Sequence, residues 1–174
     1  MSLKGKTVYV FAEDLYEEME LWVPVYRLRE AGAEVFIIGT GSAREYKGKK
    51  GSYPVTVDGA AADFSGSHCD ALIIPGGYAP DKLRRYKDII RITREAFDNG
   101  VPVASICHGP WVLCSADVVR GKRVTASPAI RVDLENAGAI FLDEEVVVDG
   151  NLITSRHPDD LPAFNKAIIA AMRH

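Results

Sequence analysis

Hydrophobic positions along the chain follow two alternating periods, one typical of strands and one typical of helices. Short β-branched runs at Thr7–Phe11 and Glu34–Gly39 flank a segment from about Met19 to Ala31, in which apolar residues recur every three or four positions. This order predicts a βαβ unit at the start of the chain. The same alternation continues to the C-terminus. It predicts further strands at Ala71–Pro75, Pro102–Ile106, Arg123–Ala126, Val146–Val148 and Leu152–Thr154, and further helices at Asp88–Asn99, Ile130–Ala137 and Leu161–Met172.

This succession of elements predicts an α/β fold, with a largely parallel sheet and helices on both faces. The segment Gly48–Asp58 differs because it is polar and glycine-rich. We interpret it as a hairpin-like excursion at the sheet edge rather than another crossover. The chain has 174 residues, 47% of them hydrophobic, without a repeat or a linker. We therefore predict one domain over residues 1–174.

Charge and cysteine content restrict the class of protein. The formal net charge is -3, so the chain offers no basic face for a phosphate backbone, and we expect no nucleic-acid partner. No apolar run approaches the roughly 20 residues that span a bilayer, and the N-terminus lacks a signal-peptide core, so we expect a cytoplasmic protein without membrane association. Three cysteines without paired spacing predict neither a disulfide framework nor a metal site.

The segment after the predicted strand Pro102–Ile106 carries the strongest chemical signal. Ligands of open parallel sheets bind beyond the carboxyl ends of the strands, and here Cys107-His108 follow directly. The small residues Ser105 and Gly109 on either side are typical of a nucleophile elbow with Cys in place of Ser. A helix N-terminus after the elbow favours the thiolate, so we expect the pKa of Cys107 to lie below that of a free cysteine. The alternative, a buried cysteine that packs as a small hydrophobe, suits Cys114 and Cys69 better.

A second glycine-rich turn follows the strand Ala71–Pro75. The backbone N–H of Gly77, beside Gly76, would form an oxyanion hole together with the N–H of His108. Tyr78 and Trp111 follow the two turns and are candidates to line the cleft, although aromatic residues at such positions are as often packing.

Four segments together resemble the ThiJ/PfpI family of intracellular proteases and parkinsonism-associated deglycases, across essentially the whole chain. They are Glu17-Glu18-Met19-Glu20 with Leu21-Trp22-Val23-Pro24, Pro75-Gly76-Gly77, Ala104-Ser105-Ile106-Cys107-His108-Gly109-Pro110, and Thr154-Ser155-Arg156. The resemblance implies a flavodoxin-like three-layer sandwich related to class I glutamine amidotransferases. It also implies a homo-oligomer, a dimer at least and possibly a hexamer, that works without metal or organic cofactor.

The resemblance also implies roles for individual residues. Cys107 is similar to the family nucleophile and His108 to its acid–base neighbour, and Glu20 corresponds to the glutamate that hydrogen-bonds the sulfur. In the PfpI branch an acidic residue of a neighbouring subunit orients the histidine, and Asp81 stands at that position here, where the family residue is Glu. A helix N-cap is the alternative role for Asp81.

Glu20 has a physical argument of its own. A carboxyl group held against a thiolate must share a proton with it or repel it, so its pKa should rise. The alternative is a solvated acid in the first turn of a helix, which is the interpretation we give to Glu17 and Glu18.

His157 leaves a second arrangement open. His157-Pro158-Asp159 resembles the His-Pro-acid element of class I glutamine amidotransferases, in which the histidine activates the elbow cysteine. The alternative is a solvated loop histidine before a helix capped by Asp159 or Asp160. We include Arg156 and His157 among the candidate cleft residues.

We predict that the Cys107 thiolate adds to an electrophilic carbonyl. The main prediction is an intracellular cysteine peptidase of the PfpI type. The same residues also suit a glyoxalase or protein deglycase that acts on methylglyoxal adducts, and a third alternative is a redox-sensing stress-response protein or chaperone in which Cys107 is oxidised. The sequence does not separate these three, so the substrate is a peptide or a small carbonyl compound.

Overall fold

The computed structural model describes residues 2–51 and 53–173, and it is built around one mixed sheet. Ser52 of the predicted hairpin, and the chain ends Met1 and His174, lie outside the described residues. The strands are β1 (Thr7–Ala12), β2 (Glu34–Gly39), β3 (Glu45–Tyr46), β4 (Val55–Thr56), β5 (Gly59–Ala60), β6 (Ala71–Ile74), β7 (Val103–Ile106), β8 (Arg123–Val124), β9 (Ile140–Phe141), β10 (Val146–Asp149) and β11 (Leu152–Ser155). The helices are α1 (Glu18–Glu30), α2 (Ala79–Leu83), α3 (Lys87–Asp98), α4 (Pro110–Ser115), α5 (Arg131–Asn136) and α6 (Leu161–Ala171).

The main sheet has seven strands in the order β10-β11-β7-β6-β1-β2-β5. Every neighbouring pair is parallel except β10 and β11, which form an antiparallel hairpin at one edge. The central strands β6 and β7 are buried throughout, because helices cover both faces of a parallel sheet. Their carboxyl ends lie side by side, with Ile74 paired to Ser105, and this register brings the two predicted turns together.

Helix packing follows the apolar faces in the sequence. On α1 the buried positions include Leu21, Val25 and Leu28, as expected for one helical face, and this helix packs against α6. The helices α2, α3 and α4 form the other group, with α5 packed against α4. None of the helices within residues 2–51 and 53–173 combines the length and apolar character that a membrane span requires.

Most predicted elements are present, and the differences lie at the periphery. The excursion does contain an antiparallel hairpin, β3 with β4, but the chain then adds β5 as a parallel edge strand beside β2. The strand β8 pairs in parallel with β9, which the sequence pattern did not predict, outside the main sheet. The five-residue helix α2 was also missed, because Pro80 in so short an apolar segment resembles a turn.

Candidate active site

Cys107 forms a strained turn between β7 and α4. Its φ is 62°, in the left-handed region that side chains disfavour, and its own backbone is fixed on both sides. The Cys107 N–H donates to the carbonyl of Ser155 at 3.0 Å, and the Cys107 carbonyl accepts from the N–H of Ser127 at 3.0 Å. The end of β11 and the loop after β8 therefore hold the half-buried thiol at the carboxyl edge of the sheet.

The small residues around Cys107 are required by close packing. A Cβ atom on Gly109 would lie 2.5 Å from the carbonyl oxygen of Ile74 and 2.9 Å from that of Ile106, and it would collide with Ser105. Such distances exclude any side chain at position 109 unless α4 moves. The steric pattern of an elbow, predicted from the sequence, is thus present in the structure.

The backbone N–H groups of Gly77 and His108 lie beside the Cys107 sulfur, where both act to lower the pKa of its thiol. Gly77 has a φ of 81° and pairs with Tyr16 in an isolated antiparallel bridge. A Cβ on Gly77 would lie 2.5 Å from the N atom of Glu17, so the close approach and the positive φ both require glycine. The two donors predicted for an oxyanion hole therefore converge at the sulfur.

Glu20 lies buried beside Cys107, and both side chains crowd the point at which a Cβ of Gly76 would stand. Its Oε2 accepts from the N–H of Gly76 at 2.8 Å, and a Cβ on Gly76 would lie 2.7 Å from the Cβ of Cys107. The other oxygen, Oε1, is buried, and within residues 2–51 and 53–173 no hydrogen-bond donor reaches it. Burial first, and the charge of Glu17 second, raise the pKa of Glu20 to about 8. At neutral pH Glu20 therefore carries a proton, as expected from its place beside the thiol.

Glu17 shapes this site, although we interpreted it from the sequence as a solvated acid. It is buried, it is the N-cap of α1, and its Oε2 accepts from the N–H of Glu20 at 2.8 Å. Glu18 is not simply solvated either, because its Oε1 accepts from the N–H of Lys50 at 2.9 Å. The correction has a simple cause, since the loop that contains Lys50 docks on this end of α1.

The pKa of Cys107 is shifted in the direction opposite to our expectation. Burial and then the negative charge of Glu20 raise the pKa of Cys107 to about 12, against the N–H groups of Gly77 and His108, which lower it. The expectation considered the helix N-terminus and left out the burial of the thiol, which is the larger cause of the rise. The proton that Glu20 holds at neutral pH removes the repulsion, so ionisation of Cys107 depends on the protonation of Glu20. Burial also raises the pKa of Cys69 to about 12 and that of Cys114 to about 11.

His108 faces the sulfur through its side chain as well as its backbone. Its Nδ1 lies 3.2 Å from Sγ of Cys107. Its ring packs edge-on against Trp111 at 5.1 Å between centroids, and Nε1 of Trp111 donates to Oδ2 of Asp133 at 2.9 Å. Burial and then the charge of Lys49 lower the pKa of His108, against Asp133, which raises it. A neutral imidazole beside the thiol can accept its proton.

Comparison with known protein families places nearly the whole chain in one family. A model of the DJ-1/PfpI family matches residues 6–171. The chain belongs to the DJ-1/PfpI family. The resemblance stated from the sequence motifs is thereby confirmed.

Relatives that are named deglycases match nearly the whole chain. Protein/nucleic acid deglycase 2 of Escherichia coli is 46% identical over 163 residues, which cover 93% of this chain and 95% of that protein. Deglycase TK1284 of Thermococcus kodakarensis is 42% identical over 166 residues, covering 95% of this chain and 99% of that protein.

A solved structure confirms the flavodoxin-like fold of the family. It is a two-domain protein from Anabaena variabilis, with DJ-1/ThiJ/PfpI-like and ferritin-like domains. It matches with a TM-score of 0.94 and 44% identity, and the match covers 97% of this chain and 48% of that chain. The present chain thus spans about half the length of that protein.

Asp81, which the family resemblance placed beside a neighbour's histidine, lies on α2. The N-cap of α2 is Tyr78, so the alternative role of Asp81 as an N-cap is wrong. Its carboxylate instead pairs with Arg85 and is half exposed. With Tyr78 and Trp111 it lines a groove of about 330 Å³, and within residues 2–51 and 53–173 no hydrogen bond joins it to His108. The shared site between subunits of a DJ-1/PfpI oligomer stays a prediction.

Arg156 and His157 have their observed partners in the loop before α6 and, for Arg156, also in the loop between β9 and β10, rather than at the elbow. Arg156 donates to Asp160 at 2.8 Å and to Asp143 at 2.9 Å. Nε2 of His157 lies 3.8 Å from Oδ2 of Asp160, which is the N-cap residue of α6. These contacts favour the loop-histidine interpretation over an activating base for Cys107.

Proposed function

We propose that the protein is a Cys107-dependent deglycase, which removes methylglyoxal adducts from amines and thiols. One observation carries the proposal: the Cys107 sulfur lies among the side chain of Glu20, Nδ1 of His108 and the N–H groups of Gly77 and His108. This set suits addition to a carbonyl carbon followed by proton transfers. The relatives named deglycases support this alternative over the peptidase that we took as the main prediction.

The proposed reaction begins with loss of the amine. The thiolate bonds to the carbon that carries the hydroxyl and the amino group, the C–N bond breaks, and the amine leaves with a proton. His108 accepts the thiol proton and passes one to the amine. The product on the enzyme is a hemithioacetal of methylglyoxal, bound through Cys107.

The second half of the reaction converts this hemithioacetal to lactate. The proton on the sulfur-bearing carbon moves to the neighbouring carbonyl carbon, which oxidises the first carbon to a thioester and reduces the second to an alcohol. Glu20 and His108 carry the protons, and the N–H groups of Gly77 and His108 hold the oxyanion. Water then cleaves the thioester. In total, adduct and water give free amine and lactate, and the thiol is regenerated.

The test supplies preformed methylglyoxal adducts of N-acetyllysine and N-acetylcysteine, after removal of free methylglyoxal, with fluorogenic peptides in parallel. We expect release of lactate and free amine or thiol, loss of both products in Cys107→Ala, and their retention in Cys114→Ala, which removes the other half-buried thiol. Methylglyoxal alone, as a further arm, separates a deglycase from a glyoxalase. Cleavage of the fluorogenic peptides without release of lactate would instead support the peptidase. The third alternative, a sensor in which Cys107 is oxidised, stays a prediction.

A further inference from the structure

The loop after β3 docks directly on the active site. The N–H of Leu15 donates to the carbonyl oxygen of Lys47 at 2.7 Å. The N–H of Lys49 donates to the carbonyl oxygen of Tyr16 at 2.8 Å. Tyr16 also bridges to Gly77 on its other side. The backbone of Lys49 is therefore separated from an oxyanion donor by a single extended segment.

Lys49 brings a positive charge to the cleft. Its side chain is exposed, and among the residues that the structure describes it forms no ion pair. Its charge is one of the causes that lower the pKa values of Glu20, Cys107 and His108, each from a different element. Because the backbone of Lys49 pairs with Tyr16, which in turn bridges to Gly77, this charge stands at the rim of the cleft beside Cys107.

Two basic side chains near Trp111 have partners within the chain. Arg85 pairs with Asp81, and Nε of Arg84 donates to Ser115 at 2.9 Å. Lys49 is thus available to a ligand that enters beside Cys107.

We propose that Lys49 makes the cleft selective for electrophiles that carry an anionic group, a carboxylate or a phosphate, a few bonds from the reacting carbon. The inference rests on the proposed function for the identity of the substrate, an adduct with an acidic carrier such as an amino acid or a nucleotide. The effect of the Lys49 charge on reagents in the pocket does not depend on the proposed function. Any electrophile that reaches Cys107 experiences the same charge.

The primary experiment compares two alkylating reagents that differ only in charge, iodoacetate and iodoacetamide. The Cys107 thiolate attacks the CH2 carbon of either reagent and displaces iodide, so the ratio of the two rates cancels any change in the ionisation of the thiol. We expect Lys49→Gln to lower the iodoacetate-to-iodoacetamide ratio about threefold to fivefold, the size of one partly exposed charge contact. Salt at about 1 M should lower the ratio of the parent protein similarly, because it screens the charge.

Matched variants distinguish Lys49 from the general charge of the loop. Lys50 carries the same charge one residue further along, and Lys50→Gln should leave the ratio as in the parent. Lys49→Arg should also retain it, since it restores the cation. An equal fall in Lys49→Gln and Lys50→Gln, or no fall in Lys49→Gln, would overturn the proposal.

Substrate arms then identify the anionic group. Methylglyoxal adducts of N-acetylcysteine and of its amide differ by a carboxylate, and adducts of guanosine monophosphate and guanosine differ by a phosphate. In each pair kcat/KM for the charged member should fall in Lys49→Gln relative to the neutral member, and the pair with the larger fall identifies the preferred group. If no adduct is turned over while the alkylation ratio behaves as expected, the deglycase proposal fails and the anion preference stands. If the adducts are turned over but Lys49→Gln leaves the alkylation ratio unchanged, the anion preference fails and the deglycase proposal stands.

Discussion

Glu20, which is buried, and Cys107, which is half-buried, are two acidic groups that meet beside Gly76. Two negative charges at that distance and burial repel strongly, so the folded protein retains a proton on the pair. The pKa of Glu20 rises from 4.5 to about 8, with burial as the largest cause. The buried carboxyl group that supplies this proton therefore destabilises the folded state at alkaline pH, where it must ionise.

This linkage gives a prediction for Glu20→Gln. The folded protein binds the Glu20 proton more tightly than the unfolded chain does, so its stabilising contribution is complete below pH 4.5 and is lost as the pH rises through about 8. The amide does not ionise. The stability of Glu20→Gln relative to the parent should thus increase between these limits, by at most about 5 kcal/mol. Chemical denaturation across this pH range measures it.

A control separates this effect from a general change of charge. Glu34→Gln removes an exposed carboxylate at the start of β2, and its stability should follow the parent at every pH. A constant offset between Glu20→Gln and the parent, without pH dependence, would mean that Glu20 is ionised in the folded protein.

At this scale the sequence was a good guide to residues that occur in motifs. Cys107, Glu20 and the glycines 76 and 77 are brought together as the motifs predicted. Glu17 and Lys49 were not recognised as parts of the site. An acid in a first helical turn and a lysine in a polar hairpin are ordinary surface patterns. Their importance arises only when the hairpin loop docks beside Tyr16, a contact between distant segments that no local spacing reveals.

At the elbow, α4 begins in close contact with the ends of β6 and β7, and only glycine at position 109 allows this contact. Gly109 has an ordinary helical φ of -50°, so Gly109→Ala would introduce collision without backbone strain. Because α4 must shift, the thiol shifts with it, and a displacement of about 1 Å costs about a hundredfold in rate. We expect Gly109→Ala to lose about a hundredfold in Cys107-dependent turnover, measured with preformed adducts.

Gly100 provides the matched control for this variant. Its φ is 73° and no atom lies within 4 Å of the point that a Cβ would occupy. Gly100→Ala therefore costs about 1 to 2 kcal/mol through the backbone alone. Its turnover below the unfolding temperature should remain that of the parent. Equal losses of turnover in both variants would show that Gly109→Ala acts through a loss of stability and not through a displacement of the thiol.

Elements with a strong periodic pattern were predicted well. The bounds of β2 agree with the prediction, and α3 spans Lys87–Asp98 where Asp88–Asn99 was predicted, with Ile89, Ile92 and Ala96 buried on one face. The pattern did not reveal α2, β5 and β9, because two to five residues carry too little periodicity. Their structure depends on the partners that dock against them.

On the scale of the whole molecule, the position of Asp81 bears on assembly. Its carboxylate is half exposed, near the groove beside Trp111, and makes its ion pair with Arg85 of its own helical segment. An acid–base histidine benefits from a carboxylate that fixes its tautomer. The predicted arrangement, in which Asp81 orients His108 of the next chain, requires two chains for each complete site.

Complementation tests the shared site. Cys107→Ala and Asp81→Ala should each be inactive, whereas mixed oligomers should regain up to about a quarter of the parent turnover, because one site in the hybrid pairs an intact Cys107 with an intact Asp81. Arg85→Ala is the control, since it breaks the same ion pair and keeps the carboxylate. Full activity of Asp81→Ala alone, or no recovery in verified hybrids, would place the complete site within one subunit.

The left-handed backbone of Cys107 also has an evolutionary consequence. A side chain in that conformation costs about 1 to 2 kcal/mol, which glycine avoids. Selection for the reaction retains cysteine there, whereas selection for stability alone favours glycine. A lineage that ceases to use the thiol is therefore expected to drift towards glycine at this position while the surrounding turn persists. Such a substitution in an otherwise intact elbow would mark a descendant that has abandoned the chemistry and kept the scaffold.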